Sequence, residues 1–150
     1  MAPEMNLMSS GTHRFRCFAP VDPSRVWIAL TDGQETGKYL HGLVADSSWC
    51  EGAPIHFRAA PLQPESQSTL AGRVLRAQTH RRLSYFLRSG PKDPSTYLTW
   101  QIRSCPGGST VHLQVDQAEC ADTEEEAENT WLPVLAALQT LLSRDEPSRP

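Results

Sequence analysis

The sequence has no long hydrophobic run, so none of its 150 residues is predicted to lie in a membrane span. Residues 1–11 do not combine a basic stretch with a following apolar stretch, so no secretory signal is predicted. The four cysteines lie far apart and form no C-x-x-C pair, which argues against a zinc site and a redox motif. We therefore expect a cytoplasmic protein with unpaired thiols and with neither a metal ion nor another cofactor.

Neither sign of charge predominates in the sequence. The net charge is −3, and the longest run of like charge is the acidic triplet at 124–126, so nucleic acid is not an expected partner. Hydrophobic residues make up 39% of the chain and charged residues 21%, which is typical of a folded domain. Because hydrophobic periodicity is confined to 13–142, we predict one domain there, with flexible termini over 1–12 and 143–150.

Catalytic motifs are missing too. The chain has no G-x-S-x-G elbow, no glycine-rich phosphate loop and no metal-ligand spacing of histidines and carboxylates. Its histidines, the natural candidates for acid–base catalysis, are interpreted as surface residues. They are His13, His41, His56, His80 and His112. We assign no catalytic residue, and binding is favoured over enzymatic activity.

Several segments alternate between apolar and polar residues, which is typical of half-buried strands. In the first of them Phe15, Cys17 and Ala19 oppose Arg14 and Arg16. Further strands are predicted over residues 55–59, 83–87, 98–102 and 111–115, and over 70–77 with an unclear inward face. The sequence PGG at 106–108 predicts a hairpin between the last two. Such alternation indicates an antiparallel sheet with one dry face.

Helices are predicted on both sides of these strands. Asp22 followed by Pro23 predicts the start of a short helix that ends near residue 32, and a second short helix is expected over 35–40. Near the C-terminus, Thr123 and Glu126 predict a capping box, and Pro133 predicts a kink or a later helix start. An apolar stripe then follows at Ala127, Trp131, Val134, Leu135, Leu138, Leu141 and Leu142, and this stripe is predicted to cover the dry face.

Three segments resemble motifs of the START-like SRPBCC superfamily. Residues 19–32, APVDPSRVWIALTD, are similar to its pattern aP-x-x-rVW-x-aLTd, and residues 49–57, WCEGAPIHF, to W-x-x-G-x-P-v-x-f. GRVL at 72–75 and RRLSY at 81–85 resemble its hairpin, and WLPVL at 131–135 is similar to bacterial homologues of the heat-shock ATPase activator. The chain differs from that group at Tyr39, where tryptophan is usual, and at Thr79-His80, where proline is usual.

The resemblance implies an α+β helix-grip (START/Bet v-like) fold. In it a curved antiparallel sheet of about six strands surrounds a long C-terminal helix, and two short helices follow the first strand. In relatives the space between sheet and helix accepts lipids, polyketides or other apolar molecules. We therefore predict binding of a small apolar molecule, lipid-like or aromatic, with an ordinary solid core as the alternative reading of the same residues. The predicted ligand-binding residues are Phe15, Cys17, Tyr39, Trp49, Phe57, Tyr85, Leu87, Leu98, Trp100, Leu113, Gln117, Trp131, Leu135 and Leu138.

Two other functions remain open from the resemblance. One is a chaperone interaction module like the heat-shock ATPase activators, with a chaperone or a second copy of the chain as partner. The other is an enzyme of the polyketide cyclase or hydratase kind.

The water-facing side of the sheet is predicted to collect Arg14, Arg16, Arg58, Arg88 and Arg103. We interpret this side as a solvated face that balances the acidic segment 124–128. Its only aromatic residues are Phe18, Phe86 and Tyr97, so the stacking pattern of a single-strand platform is missing. An acidic partner or nucleic acid is the alternative.

Overall fold

A computed structural model describes residues 11–59, 70–88, 94–117 and 123–144. The described strands are β1 (Thr12–Ala19), β2 (Leu43–Asp46), β3 (Pro54–Ala59), β4 (Leu70–Gln78), β5 (Arg82–Arg88), β6 (Thr96–Cys105) and β7 (Gly108–Asp116). The described helices are α1 (Pro23–Thr31), α2 (Gly33–Tyr39) and α3 (Glu124–Arg144). The predicted flexible ends lie mostly outside these residues, although β1 begins at Thr12 and α3 continues to Arg144.

The seven described strands form one antiparallel sheet in the order β1-β7-β6-β5-β4-β3-β2. The helix-grip prediction is confirmed, but the expected number of about six strands omitted β2. This strand has only four residues, and Ala45 is the single buried one, so it has no recognisable alternation. Its pairing with β3 places Ala45 opposite Phe57.

Short polar contacts fix the helix starts. The Arg25 amide donates to Asp22 Oδ1 over 3.2 Å, which confirms the predicted start of α1. The Gln34 amide donates to Asp32 Oδ1 over 2.9 Å, so α2 begins at Gly33, two residues earlier than predicted. The predicted capping box of α3 is also present, since the Thr123 amide donates to Glu126 Oε1 and the Glu126 amide donates to Thr123 Oγ1.

The later start considered for the last helix is wrong, because α3 runs from Glu124 through Pro133. Pro133 is exposed, so the backbone hydrogen bond it cannot make lies on the solvent side of the helix. All seven residues of the predicted apolar stripe are buried and belong to the same core as the inner face of the sheet. The helix therefore covers the dry face as expected.

A β-bulge explains why β4 had no clear alternation. The register with β5 shifts between Val74 and Arg76, so that Val74 lies opposite Tyr85 and Ala77 lies opposite Leu83. Both Val74 and Ala77 therefore face inward although three positions separate them. Leu75, at the bulge, is 47% exposed.

Candidate apolar site between the sheet and the last helix

Five aromatic side chains of the predicted site form a connected cluster. Tyr85 lies at its centre, with its ring centroid 6.0 Å from Trp49 and 6.0 Å from Phe57. The Tyr85 hydroxyl accepts a 3.2 Å hydrogen bond from Trp100 Nε1. Trp100 in turn lies 6.3 Å from Tyr39 in an edge-to-face arrangement. The structure therefore brings five of the predicted site residues into one cluster.

Tyr39, the departure from the family pattern, has a defined role in this cluster. Its hydroxyl donates to the Ala29 carbonyl of α1 over 2.8 Å, and its ring is 2% exposed. Tyr39 therefore joins α1 to the aromatic cluster through a satisfied hydrogen bond. Burial, reinforced by Tyr85 and Glu35, raises the pKa of the Tyr39 hydroxyl well above its ordinary value.

Burial also raises the pKa of Tyr85 to about 12, although the hydrogen bond from Trp100 acts in the opposite direction. Tyr85 is therefore a neutral phenol at physiological pH, with an O–H group that can still donate. It is not a general base near neutral pH. The arrangement suits hydrogen bonding to a ligand better than proton transfer.

The last helix contributes an apolar wall with one polar atom. Leu135 and Leu138 are buried, and Trp131 is 8% exposed. Trp131 Nε1 is itself buried and finds no hydrogen-bond acceptor among the described residues. A buried N–H group without a partner costs free energy, so such an atom marks a place where an acceptor is expected.

His13 is a functional candidate that the sequence analysis missed. The expectation of surface histidines is wrong here, because His13 lies opposite Val115 on the inner face and is half-buried. Its Nε2 is buried and has no partner among the described residues. The signal was present in the sequence, because His13 shares the odd-numbered parity of Phe15 and Cys17 in β1.

Trp131 and His13 lie toward the same end of the fold. The Gln139 side chain donates to the Phe18 carbonyl, which ties the later part of α3 to the finish of β1. Trp131 precedes Gln139 by about 12 Å of helix, and His13 precedes Phe18 by about 16 Å of strand. α3 and β1 both begin toward the end of the sheet where β7 finishes.

That end of the sheet, which we call the lower end, is where β3, β5 and β7 finish. Three leucines near it, Leu43, Leu70 and Leu87, are only half-buried and pack against the core. Leucines farther along the same inner face, Leu83 and Leu113, are buried. These half-buried leucines lie at the margin of the inner face, next to buried residues such as Phe57 and Val115.

The remaining predicted site residues occupy several positions on the inner side. Leu98 and Leu113 are buried in the core, whereas Phe15 and Cys17 are half-buried on β1. Gln117 follows β7 at the lower end and is half-buried. Its backbone N–H group donates to the Gly11 carbonyl over 2.5 Å. Whether any of these residues touches a ligand stays a prediction.

No group of three or more metal-ligating side chains occurs within residues 11–59, 70–88, 94–117 and 123–144. No described helix is long and apolar enough to cross a membrane.

The sheet, the covering helix and the aromatic interior define a helix-grip protein of the START-like superfamily. A family model described as Activator of Hsp90 ATPase homolog 1-like protein matches residues 20–143. The chain belongs to this family. Comparison with curated protein sequences gives no match.

Solved structures share the fold at low sequence identity. Protein CV1439 from Chromobacterium violaceum is 20% identical with a TM-score of 0.72, covering 92% of this chain and 99% of that one. The Aha1 dimer from Colwellia psychrerythraea is 16% identical with a TM-score of 0.68, covering 91% and 98%. DynU16, from the dynemicin biosynthetic locus, is 16% identical with a TM-score of 0.75, covering 93% of this chain and 50% of DynU16.

Proposed function

We propose that this protein binds a small hydrophobic ligand between the inner face of the sheet and α3, and that the ligand carries a hydrogen-bond acceptor. The observation that carries the proposal is the buried, unpartnered Nε1 of Trp131 in a wall of apolar side chains. Apolar pockets with a few polar anchors are the usual form of small-molecule sites. The likeness to DynU16, from a biosynthetic locus, supports a ligand of natural-product type.

We propose that a ligand reaches this site from the lower end of the sheet. Half-buried leucines lie there, and the buried Nε2 of His13 lies at the same end. A polar group of the ligand would meet Trp131, while its apolar body would pack toward Tyr85 and Trp100. We also propose a cytoplasmic protein, since the thiols of Cys17, Cys50 and Cys105 are free, as expected in a reducing compartment.

Two isosteric probes test the proposal, 2-acetylnaphthalene with a carbonyl acceptor and 2-isopropenylnaphthalene, in which a methylene group replaces the carbonyl oxygen. Isothermal titration calorimetry should show binding of both and about fivefold tighter binding of the ketone, because one net hydrogen bond contributes about 1 kcal/mol. Trp131→Phe keeps an aromatic ring but removes the N–H group, so it should abolish this preference. Leu132→Ala, on the exposed side of α3, is the matched control.

The possible results separate the two parts of the proposal. Equal affinity of the two probes for the wild-type protein would remove the acceptor requirement but leave hydrophobic binding in place. Absence of binding by either probe, together with no co-purified molecule in native mass spectrometry of protein from its own host, would contradict the binding function.

The family match favours a second candidate function. We propose as the alternative that the chain acts on an Hsp90-type ATPase, as the family description indicates for its namesake. ATP hydrolysis by the purified chaperone from the same host, measured with and without this protein, tests it. Stimulation that persists in Trp131→Phe would favour this alternative, and no stimulation would count against it.

A further inference from the structure

The outer face of the sheet carries a strong excess of positive charge. Strand register places arginine at eight outward positions and a carboxylate at only two, Asp46 and Asp116. The outward arginines are Arg14, Arg16, Arg58, Arg73, Arg76, Arg82, Arg88 and Arg103. Since the whole chain has a net charge of −3, this face differs sharply from the rest of the molecule.

These arginines have no carboxylate partner among the described residues. The one ion pair found there joins Arg25 and Glu35, on α1 and α2, over 3.0 Å. Asp116 is already engaged, because Thr12 Oγ1 donates to one of its oxygens over 2.8 Å and Gln114 Nε2 to the other over 3.0 Å. The positive charge of this face is therefore not neutralised by ion pairs among the described residues, and it can attract an anionic partner.

The electrostatic field of these arginines acts on His112. Its pKa is lowered, first by burial and then by the nearby charges of Arg103 and Arg16. Two arginines on different strands thus act on one side chain between them. The charges of Arg16 and Arg103 therefore overlap at the β7 position between them.

Neutral hydrogen-bonding side chains fill the space between the arginines. Across the sheet, Arg16 is followed by His112, Gln101 and Arg82 on successive strands. This row spans about 14 Å, since neighbouring strands lie about 4.8 Å apart. A groove of about 240 Å³ lies at its β5 side, lined by Gln78, Arg81, Arg82, Gln101, Ile102 and Arg103. A second, of about 140 Å³, includes Arg14, His112 and Gln114.

An aromatic pair lies on the same face. Phe86 and Tyr97 are cross-strand neighbours with ring centroids 5.6 Å apart, and Tyr97 is 40% exposed. The Arg88 guanidinium lies 5.6 Å from the centre of the Phe86 ring, and Arg73 lies opposite Phe86 on β4. Two of the few aromatic residues on this face are therefore paired and flanked by cations.

We propose that this outer face binds single-stranded nucleic acid. Arginine forks match phosphate oxygens, the glutamines and His112 can hydrogen-bond to sugar and base edges, and the Phe86–Tyr97 pair supplies a stacking surface for bases. An acidic protein segment would satisfy the arginines alone and gives no reason for the aromatic pair. The acidic remainder of the molecule disfavours other approaches and so orients the strand on this face.

Fluorescence anisotropy with a labelled 15-residue oligothymidylate tests the proposal on the intact protein. If four phosphates are neutralised, raising the salt from about 50 to 200 mM should weaken binding about 50-fold, from the slope of about −0.7 per phosphate for single strands. The double variant Arg82→Gln/Arg103→Gln should bind the oligothymidylate more weakly than wild type. Its affinity should fall only about sevenfold when the salt is raised from about 50 to 200 mM. The double variant Lys38→Gln/Arg144→Gln removes the same charge from exposed positions on α2 and α3 and should behave as wild type.

Tyr97→Leu distinguishes base stacking from charge alone. It should weaken binding of the oligothymidylate about tenfold and leave an abasic strand of equal length unaffected. An equal loss of oligothymidylate affinity in the outer-face double variant and in the control double variant would overturn the proposal. So would an abasic strand or poly-glutamate binding the wild-type protein as tightly as the oligothymidylate, since the face would then recognise negative charge only. Thermal melting of each variant shows that the fold is retained, and Phe86→Leu provides a second stacking variant.

Discussion

The Tyr85 hydroxyl and the Trp100 indole nitrogen form a hydrogen bond of 3.2 Å inside the sheet–helix core. Their strands are neighbours, with Tyr85 opposite Leu98 and Trp100 opposite Leu83, so the two rings are a diagonal pair on the inner face. Tyr85 is 2% exposed and Trp100 is 0% exposed, which removes water as a competing partner. The bond fixes the relative position of β5 and β6 at the centre of the candidate site.

Tyr85→Phe should therefore destabilise the protein by about 1–3 kcal/mol, because it leaves the Trp100 N–H group buried without an acceptor. Urea unfolding followed by circular dichroism measures the loss. A double-mutant cycle with Trp100→Phe should give a coupling free energy of about 1 kcal/mol. If the losses in the free energy of unfolding from the two single substitutions simply add in the double variant, the hydrogen bond contributes nothing to stability.

The sequence was sufficient to predict most of the inner face. In β5, β6 and β7 one side faces the core and the other faces water, so burial alternates with residue number. The same reasoning identified the stripe of α3, because a single helix face meets the sheet. These positions are decided by local periodicity.

The features that were missed depend on tertiary contacts. β2 is defined by pairing with β3, and four residues with one buried side chain give no period. His13 was predicted to lie on the surface because it is a histidine. Its odd-numbered position in β1 indicated the inner face instead. The unpartnered state of Trp131 Nε1 follows from what surrounds the indole, which no pattern in the sequence encodes.

Gly72→Ala should be strongly destabilising, by about 3 kcal/mol. A β-carbon at Gly72 would lie 1.7 Å from the Phe86 carbonyl oxygen, which is backbone and cannot move aside cheaply. Gly52→Ala is the control, since its φ of +87° brings strain but no atom lies within 4 Å of the added carbon. We expect a loss of about 1–2 kcal/mol there. Similar losses at both positions in urea unfolding would contradict the close approach of β4 and β5.

Cys17 should react with iodoacetamide far more slowly than Cys50. Burial raises the pKa of the Cys17 thiol to about 11, so about one thiol in a thousand is ionised at pH 8, whereas Cys50 is exposed. Peptide mapping by mass spectrometry should show at least a hundredfold difference in alkylation rate. In urea the two rates should converge, and comparable rates in the folded protein would show that Cys17 is accessible.

His112 should make the protein less stable in mild acid. Its pKa in the folded state is lowered from 6.5, so the unfolded chain binds more protons and the free energy of unfolding falls as pH drops below about 6.5. His112→Gln removes this titration and should lose less stability between pH 7.5 and 5 in urea unfolding. Arg103→Gln should also reduce the loss, because it removes one of the two charges that oppose protonation of His112. If the free energy of unfolding of both variants depends on pH as it does in the wild-type protein, the outer-face arginines exert no effective field on His112.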